Sequence, residues 1–415
     1  MKILVQKYGG SSLATAEQLR AMAERVAMSH RVERPVVVVV SARGSSTDAL
    51  LGLGGSLNER ASAREIDQLV STGETSSAAQ MAMVLDGIGL PATSLTGWQA
   101  GIRVSGPYGE GRIAGIDTGR IRTLLRRGFV PVVSGFQGVD QDGDVITLGR
   151  GGSDTTAVAL AAELRAERCE IYTDVDGVFT ADPRVVRKAR MLPRVHFHII
   201  AEMTRSGARV LHPRSVDLAF SRNIEVHVRN ASTGEPGSVL VKKGHDSVED
   251  MGAVVAVTHD ADTAEISISF DPVEQASLPE ILDTLGKVGV EMDLFTYLAE
   301  KDRHLVRFTV SRSRVDDVRA TLGVTGLASA DTLKIDETLG KVSLVGSGPA
   351  AHPAHPARML RALAEAGIPS TSVHAAQARA SVLVPSSRLA ESVNALHGAF
   401  QLGQDDYVYS LEREH

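Results

Sequence analysis

The sequence predicts an α/β protein: a mostly parallel sheet with helices on both faces, a three-layer αβα sandwich, followed by two ferredoxin-like βαββαβ units. Three observations carry this. Apolar strand-like runs alternate with amphipathic helical stretches as far as residue 248. One run, Val36 to Val40, is unbroken valine, too apolar for a strand with one wet face. Beyond residue 250 the order strand, helix, strand, strand, helix, strand is read twice, the second copy beginning about 75 residues after the first. The boundaries fall at 1–248, 251–336 and 337–415, the last two units possibly sharing strands, and 415 residues suffice for three such domains.

Composition narrows the function. Apolar residues make up 43% and charged residues 23%, ordinary for a globular protein. The net charge of −6, with no basic face, argues against a nucleic-acid partner. No stretch is long and apolar enough for a membrane helix, and the chain enters a strand too early to leave room for a signal peptide. Cys169 is the only cysteine, so no internal disulfide forms and a cytoplasmic location is expected. At a strand start it reads as a packing residue, not a nucleophile. His196/His198 and His352/His355 lack companion ligands for a structural metal.

The first strand, Ile3-Leu4-Val5, runs into Lys7-Tyr8-Gly9-Gly10-Ser11-Ser12. Thr15 with Gln18 then forms a capping box, and Leu19, Met22 and Val26 recur at helical spacing. Strand, glycine turn and helix bring backbone N–H groups and a positive helix end to an anion, and Lys7 adds a mobile charge. The run is not a P-loop. Val36 to Val40 ends in the polar stretch Ser41 to Asp48. Leu69-Val70 leads into Ser71-Thr72-Gly73-Glu74-Thr75, read as another polar loop. The strand Ala92 to Leu95 ends at Thr96 to Gly101, and Phe129 to Val133 at Ser134-Gly135-Phe136-Gln137-Gly138. In such folds the loops after the strand C-termini build the site.

Thr147 to Thr156 places three glycines before a helix start, with Arg150 between them. This is a second anion cradle, Arg150 being suited to a bidentate carboxylate or phosphate contact. Asp154 fits an N-cap as well as a functional role. The strand Glu170-Ile171-Tyr172 ends in a loop to Arg184 that gathers carboxylates and an arginine, either a solvated turn or a nucleotide and Mg²⁺ environment. Ser206 to Arg214 adds basic residues, and Arg229 to Ser247 connects the halves. The first βαββαβ copy covers Ala264 to Ile335; the second covers Gly340 to Ser410, its last strand being Tyr407 to Ser410.

Taken in order, these runs resemble the aspartate kinases of the amino acid kinase family, the short bacterial class with two C-terminal ACT domains. The carriers are Lys7 to Ser12, Thr147 to Thr156 and Tyr172 to Arg184, with Phe136-Gln137-Gly138, Ser71 to Glu74 and Gly340 to Val345. The resemblance implies an ATP- and Mg²⁺-dependent phosphotransferase acting on the β-carboxylate of L-aspartate in lysine, threonine and methionine biosynthesis. It also implies a homodimer or higher homo-oligomer through the ACT domains. It assigns catalysis to Lys7, Asp154 and Arg150, and aspartate binding to Ser41, Thr47, Glu74, Arg150, Gly151, Gly152 and Ser153. Nucleotide binding falls to Lys7, Gly9, Gly10, Ser11, Thr173, Asp174, Phe179, Asp182, Arg184 and Arg209. No protein metal ligand is assigned. Within these roles Lys7 neutralises the transferring phosphoryl group, Arg150 grips the α-carboxylate, Glu74 takes the α-ammonium, and Asp154 orients Lys7 or the metal–phosphate group. Arg209 stands where the family usually has lysine. Trp98 stands at a variable position, where it either packs on a neighbouring helix or crowds the site mouth. The effector-site positions also depart, at Val273-Glu274-Gln275-Ala276, Tyr297-Leu298 and His374-Ala375-Ala376-Gln377, so lysine/threonine feedback is expected to be weak or lost. Kinases of another small acid and a non-catalytic sensor are the competing readings.

Overall fold

A computed structural model describes residues 2–31, 33–242, 254–270, 277–300, 303–324, 332–346 and 353–404. Met251, Val273 to Ala276, His352 and the expected strand Tyr407 to Ser410 lie outside them. The chain divides into two compact units. The first holds Met1–Val178, Met191–Thr204 and Arg209–Asp246; the second holds Phe179–Arg190, Arg205–Ala208 and Ser247–His415.

The first unit is built on an eight-stranded sheet. From edge to edge its strands are Arg194–His196, Ser238–Val241, Val226–Asn230, Arg168–Thr173, Leu4–Tyr8, Val36–Val40, Val130–Ser134 and Ala92–Leu95. Every pairing is parallel except Val226–Asn230 with Ser238–Val241. The five valines are fully buried, as a central strand covered on both faces requires. Helix Ala16–Ser29 begins with both halves of the Thr15/Gln18 capping box in place and buries Leu19, Met22 and Val26.

Two expectations give way here. Ser71 to Thr75 is not a loop but the middle of a 25-residue helix, Ala63–Gly87, and helix Ser46–Leu57 starts inside the expected loop 41–48. Ser71, Thr72 and Thr75 return their hydroxyls to carbonyls three or four residues back, so polar residues that usually favour loops are satisfied inside a helix. A four-stranded sheet of Arg112–Ile116, Ile102–Ser105, Gln137–Val139 and Val145–Thr147 was also missed. Ile102 to Ser105 does alternate buried and exposed residues, the pattern of a half-covered strand.

The second unit holds the two repeats. Strands Asp293–Ala299, His304–Val310, Ala264–Phe270 and Leu333–Asp336 form one antiparallel sheet, backed by helices Ser277–Lys287 and Val315–Val324. The other sheet runs Val254–Asp260, Leu339–Gly346, Arg379–Pro385 and Thr371–Ala376, with helices Ala354–Glu365 and Leu389–Ala399. Thus Val254–Asp260, first in sequence, pairs with the second repeat. Ala181 and Val186 join this repeat's core, beside Val342, Val382 and Leu396. Lys341, 3% exposed, bonds to Asp293 at 2.7 Å, and Arg379 reaches the same carboxylate at 2.7 and 3.1 Å.

Candidate active site

Lys7 is the last residue but one of its strand, at the carbonyl-terminal end of neighbouring parallel strands, where folds of this kind place their sites. Its Nζ lies 2.6 Å from Asp154 Oδ1, each side chain being 12% exposed. Asp154 sits in the first turn of helix Gly152–Leu164, so the cation stands beside that helix's positive end. Gly151 enters the helix at φ 67°, and a Cβ there would fall 2.2 Å from the His212 ring. Only glycine meets both demands cheaply. Gly10 is constrained differently: a Cβ would lie 2.4 Å from the Ala42 carbonyl oxygen.

Glu74 enters from helix Ala63–Gly87. It is 3% exposed, and its Oε1 accepts the Ala42 N–H at 3.0 Å, just beyond the valine strand. Its Oε2 has no hydrogen-bond partner among the described residues. Burial pushes its pKa up from 4.5 to about 7, since desolvation disfavours the ionised form. Because Tyr8 and Val40 are paired neighbours, Lys7, Asp154 and Glu74 occupy one end of the sheet. Arg150 is exposed and, among the described residues, makes no ion pair or hydrogen bond. It lies four positions before Asp154, so their Cα atoms are at most about 14 Å apart.

The other expected residues divide. Ser41, whose N–H donates to the Tyr8 carbonyl at 3.1 Å, half-buried Thr47, and buried Ser153 lie at the ends of the same strands and helices. Gly9 donates to the Tyr172 carbonyl at 3.3 Å, while Ser11 is exposed in a short 3₁₀ turn. Thr173 closes strand Arg168–Thr173, its hydroxyl on Asp174 at 3.1 Å. Arg209 is exposed in the first unit. Phe179, Asp182 and Arg184 belong instead to the second unit, where Arg184 donates to Asp182 at 3.1 and 3.2 Å. Asp176 takes a bond from Asn230 at 2.6 Å in the first unit. Trp98 is 65% exposed and helps line a cleft of about 540 Å³ beside Ser71, Thr72 and Thr75. Buried Cys169 has its thiol pKa raised by desolvation.

Sequence reasoning missed the supports of the glycine run around Arg150. Arg214 donates to the carbonyls of Leu148, at 2.6 Å, and Gly111, at 2.8 Å. Asp67, 2% exposed, accepts the N–H groups of Gly109 and Thr147 and the Thr147 hydroxyl, each at 2.8 Å. Both hold carbonyl or amide groups next to the glycine run, and an aspartate in a helical stretch gives no sequence signal of that. A buried network also backs the site. Glu170 accepts from Gln6 at 2.8 Å, Tyr172 at 3.0 Å and Arg168 at 2.9 Å. Burial alone would raise this carboxyl, but those partners hold it below its usual value. Tyr172 also stacks on Tyr8 at 4.8 Å.

The family model described as the amino acid kinase family matches residues 2–230, and an ACT-domain model matches residues 342–400. An aspartokinase of Mycolicibacterium smegmatis is 40% identical over 411 residues, 98% of each chain. The chain belongs to the aspartokinases, within the amino acid kinase family. It is an enzyme of the phosphoryl-transferring class. An aspartokinase of Geobacillus stearothermophilus is 38% identical over 406 residues, again 98% of each. Among solved structures, aspartokinase III of E. coli in complex with aspartate and ADP matches with a TM-score of 0.81 at 23% identity, over 96% of this chain and 99% of that one. At that identity the likeness speaks for the fold. The aspartate kinase of Synechocystis is 33% identical with a TM-score of 0.54, over 96% of this chain and 69% of that one. Among the described residues no helix is long and apolar enough to cross a membrane.

Proposed function

We propose that the chain transfers the γ-phosphoryl group of ATP to the β-carboxylate of L-aspartate, giving 4-phospho-L-aspartate, at the head of lysine, threonine and methionine biosynthesis. The observation that carries this is the Lys7–Asp154 pair at a helix N-terminus, with Glu74 at the same sheet end. Two anions must meet for the reaction, and the acceptor carboxylate is already ionised at neutral pH. The protein's task is then positioning and charge neutralisation, and no general base is needed.

The residues fit a phosphate chain. The Gly10 N–H bonds to nothing among the described residues, and a side chain at Gly9 would grow from 3.6 Å beside the Lys7 ammonium. Gly9, Gly10 and Ser11 offer donors to the β- and γ-phosphates, and Lys7 meets the charge that moves in the transition state. Asp154 holds Lys7 in place. Thr173 and Asp174 line the nucleotide side, with Phe179, Asp182, Arg184 and Arg209 as further contacts. Arg150 grips the aspartate α-carboxylate, Glu74 the α-ammonium, and Ser41, Thr47, Gly151, Gly152 and Ser153 complete that pocket. Mg²⁺ would ride on the nucleotide phosphates, that ion's usual habit. It supplies further charge neutralisation.

The proposed units are 1–248, 251–336 and 337–415, the last two serving self-association. Feedback by lysine and threonine is weak, because Tyr297-Leu298 and His374 to Gln377 offer few partners for an amino acid's charged ends. Tyr297 is instead bonded to His304 at 2.9 Å, and His374 lies 3.4 Å from Thr296. The deciding experiment is ATP consumption with hydroxylamine trapping of the acyl phosphate, across aspartate, glutamate and carbamate. Product from aspartate alone supports the assignment; turnover of another acid, or of none, refutes it. Strong inhibition by millimolar lysine plus threonine refutes the regulatory part.

A further inference from the structure

A second cation-lined cleft lies at the opposite end of the first unit's sheet. Its volume is about 840 Å³, and Arg122, Arg126, Arg165 and Arg222 line it with a single carboxylate, Glu163. Ile3 and Leu125 form part of its apolar wall. The position follows from the fold. Ile3 precedes the first strand, and Arg165 caps the far end of helix Gly152–Leu164. Arg165 stands eleven residues beyond Asp154 on that helix, which places it about 16 Å away along the axis. The cleft is therefore separate from the Lys7–Asp154 pair.

The obvious alternative is that these arginines merely cap helices. Arg126 and Arg222 do occupy last turns, and Arg165 follows a third helix end. Each helix end carries roughly half a negative charge. Three ends and Glu163 then offset about two and a half of four positive charges, leaving an excess of about one and a half. The partners agree with that sum. Arg122 is spent on the Thr118 hydroxyl, at 3.0 Å, and the Glu163 carbonyl, at 3.1 Å. Arg222 stands 3.9 Å from Glu163. Arg126 makes only long bonds, of 3.3 and 3.4 Å, to its own helix. Arg165 has no side-chain partner among the described residues. Two guanidinium forks thus face the cleft available for bidentate contacts.

We propose that this cleft binds an oligophosphate anion, independently of the active site. Guanidinium forks match phosphate oxygens in geometry, and a chain of phosphates spans the forks of Arg126 and Arg165, which come from two different helices. The apolar wall gives an attached organic group somewhere to rest.

The test is calorimetric titration of the full-length chain with pyrophosphate, with tripolyphosphate and citrate as comparison arms. Lys7→Ala removes the cation of the active site, and a double variant, Arg126→Ala with Arg165→Ala, removes the available forks of the cleft. The proposal expects Lys7→Ala to retain pyrophosphate binding and the double variant to lose at least tenfold in affinity. It also expects affinity to fall as salt screens the contacts. The double variant's aspartate-dependent activity, both positions being exposed and remote, stays within about twofold of wild type. Four results overturn the proposal: no binding by the wild type at millimolar pyrophosphate, loss of all binding in Lys7→Ala, unchanged affinity in the double variant, or citrate binding as tightly as tripolyphosphate.

Discussion

Glu74→Gln separates burial from function. The Glu74 carboxyl titrates near 7 instead of 4.5 because burial disfavours its charge. At 1.36 kcal/mol per pH unit, the folded chain carries about 3 kcal/mol of strain from this group once it ionises. The sign follows from the raised pKa. Below about pH 4.5 the carboxyl is protonated folded or unfolded, and the cost is absent; it grows as pH rises and is complete above about 7. Glutamine is neutral throughout. Its amide nitrogen, placed where Oε2 has no partner, costs about 1–3 kcal/mol at every pH. The clean quantity is therefore the change between pH 5 and pH 8: relative to wild type, Glu74→Gln gains up to about 3 kcal/mol. Urea unfolding without substrate, following the first unit's transition, measures it. Function should move the other way. A substrate ammonium needs the ionised carboxylate, so the wild-type aspartate KM is expected to rise about tenfold per pH unit below 7 and to level off above it. The variant binds aspartate poorly at any pH. Parallel stability curves for the two proteins, or a wild-type KM flat from pH 5.5 to 8, refutes the reasoning.

Three further perturbations follow from the geometry. Lys7→Met removes the ammonium beside Asp154 and is expected to lower kcat at least about a hundredfold in the hydroxamate assay, with circular dichroism unchanged. Arg214→Lys cannot span both the Leu148 and Gly111 carbonyls; the loosened Arg150 loop should raise the aspartate KM about tenfold, roughly 1.4 kcal/mol, and a KM equal to wild type would exclude Arg214 as a clamp. Asp293, held at about 2 by Lys341 and Arg379 against the opposing effect of burial, stabilises the second unit above its unfolded value near 3.8. That contribution, about 1–2 kcal/mol after allowance for partial exposure, is lost as pH falls toward 2. Asp293→Asn leaves the buried Lys341 charge with only the longer Asp260 contact, at 3.9 Å, and should cost about 3 kcal/mol at neutral pH, read as a shifted urea midpoint.

The parts of this fold legible in the sequence are those where a local rule and the tertiary environment agree. Val36–Val40 needs both faces covered, and they are; Thr15 and Gln18 cap a helix whatever surrounds it. Lys7 and Asp154 could be named from their turns, but only the family resemblance suggested that they meet, because they lie 147 positions apart and the pairing of distant strands closes the gap. Ser71 to Thr75 misled because small polar residues and a glycine favour turns locally, while packing against the sheet imposes a helix. Gly73 there lets the helix approach Ala42, whose Cβ would sit 2.9 Å from an added one. Asp182 and Arg184 follow just after the chain passes from one unit to the other, a step that no local signal in the sequence marks.

That passage has a practical side. The chain crosses between its units five times, after Val178, Arg190, Thr204, Ala208 and Asp246, so no single cleavage yields two self-sufficient halves. A separately expressed C-terminal half would leave behind Ala181 and Val186, opening holes among Val342, Val382 and Leu396. It would also forfeit Thr180, whose hydroxyl lies 3.0 Å from His397 and whose carbonyl accepts the Val257 N–H. Anyone dissecting this enzyme into modules should graft residues 179–190 onto the fragment.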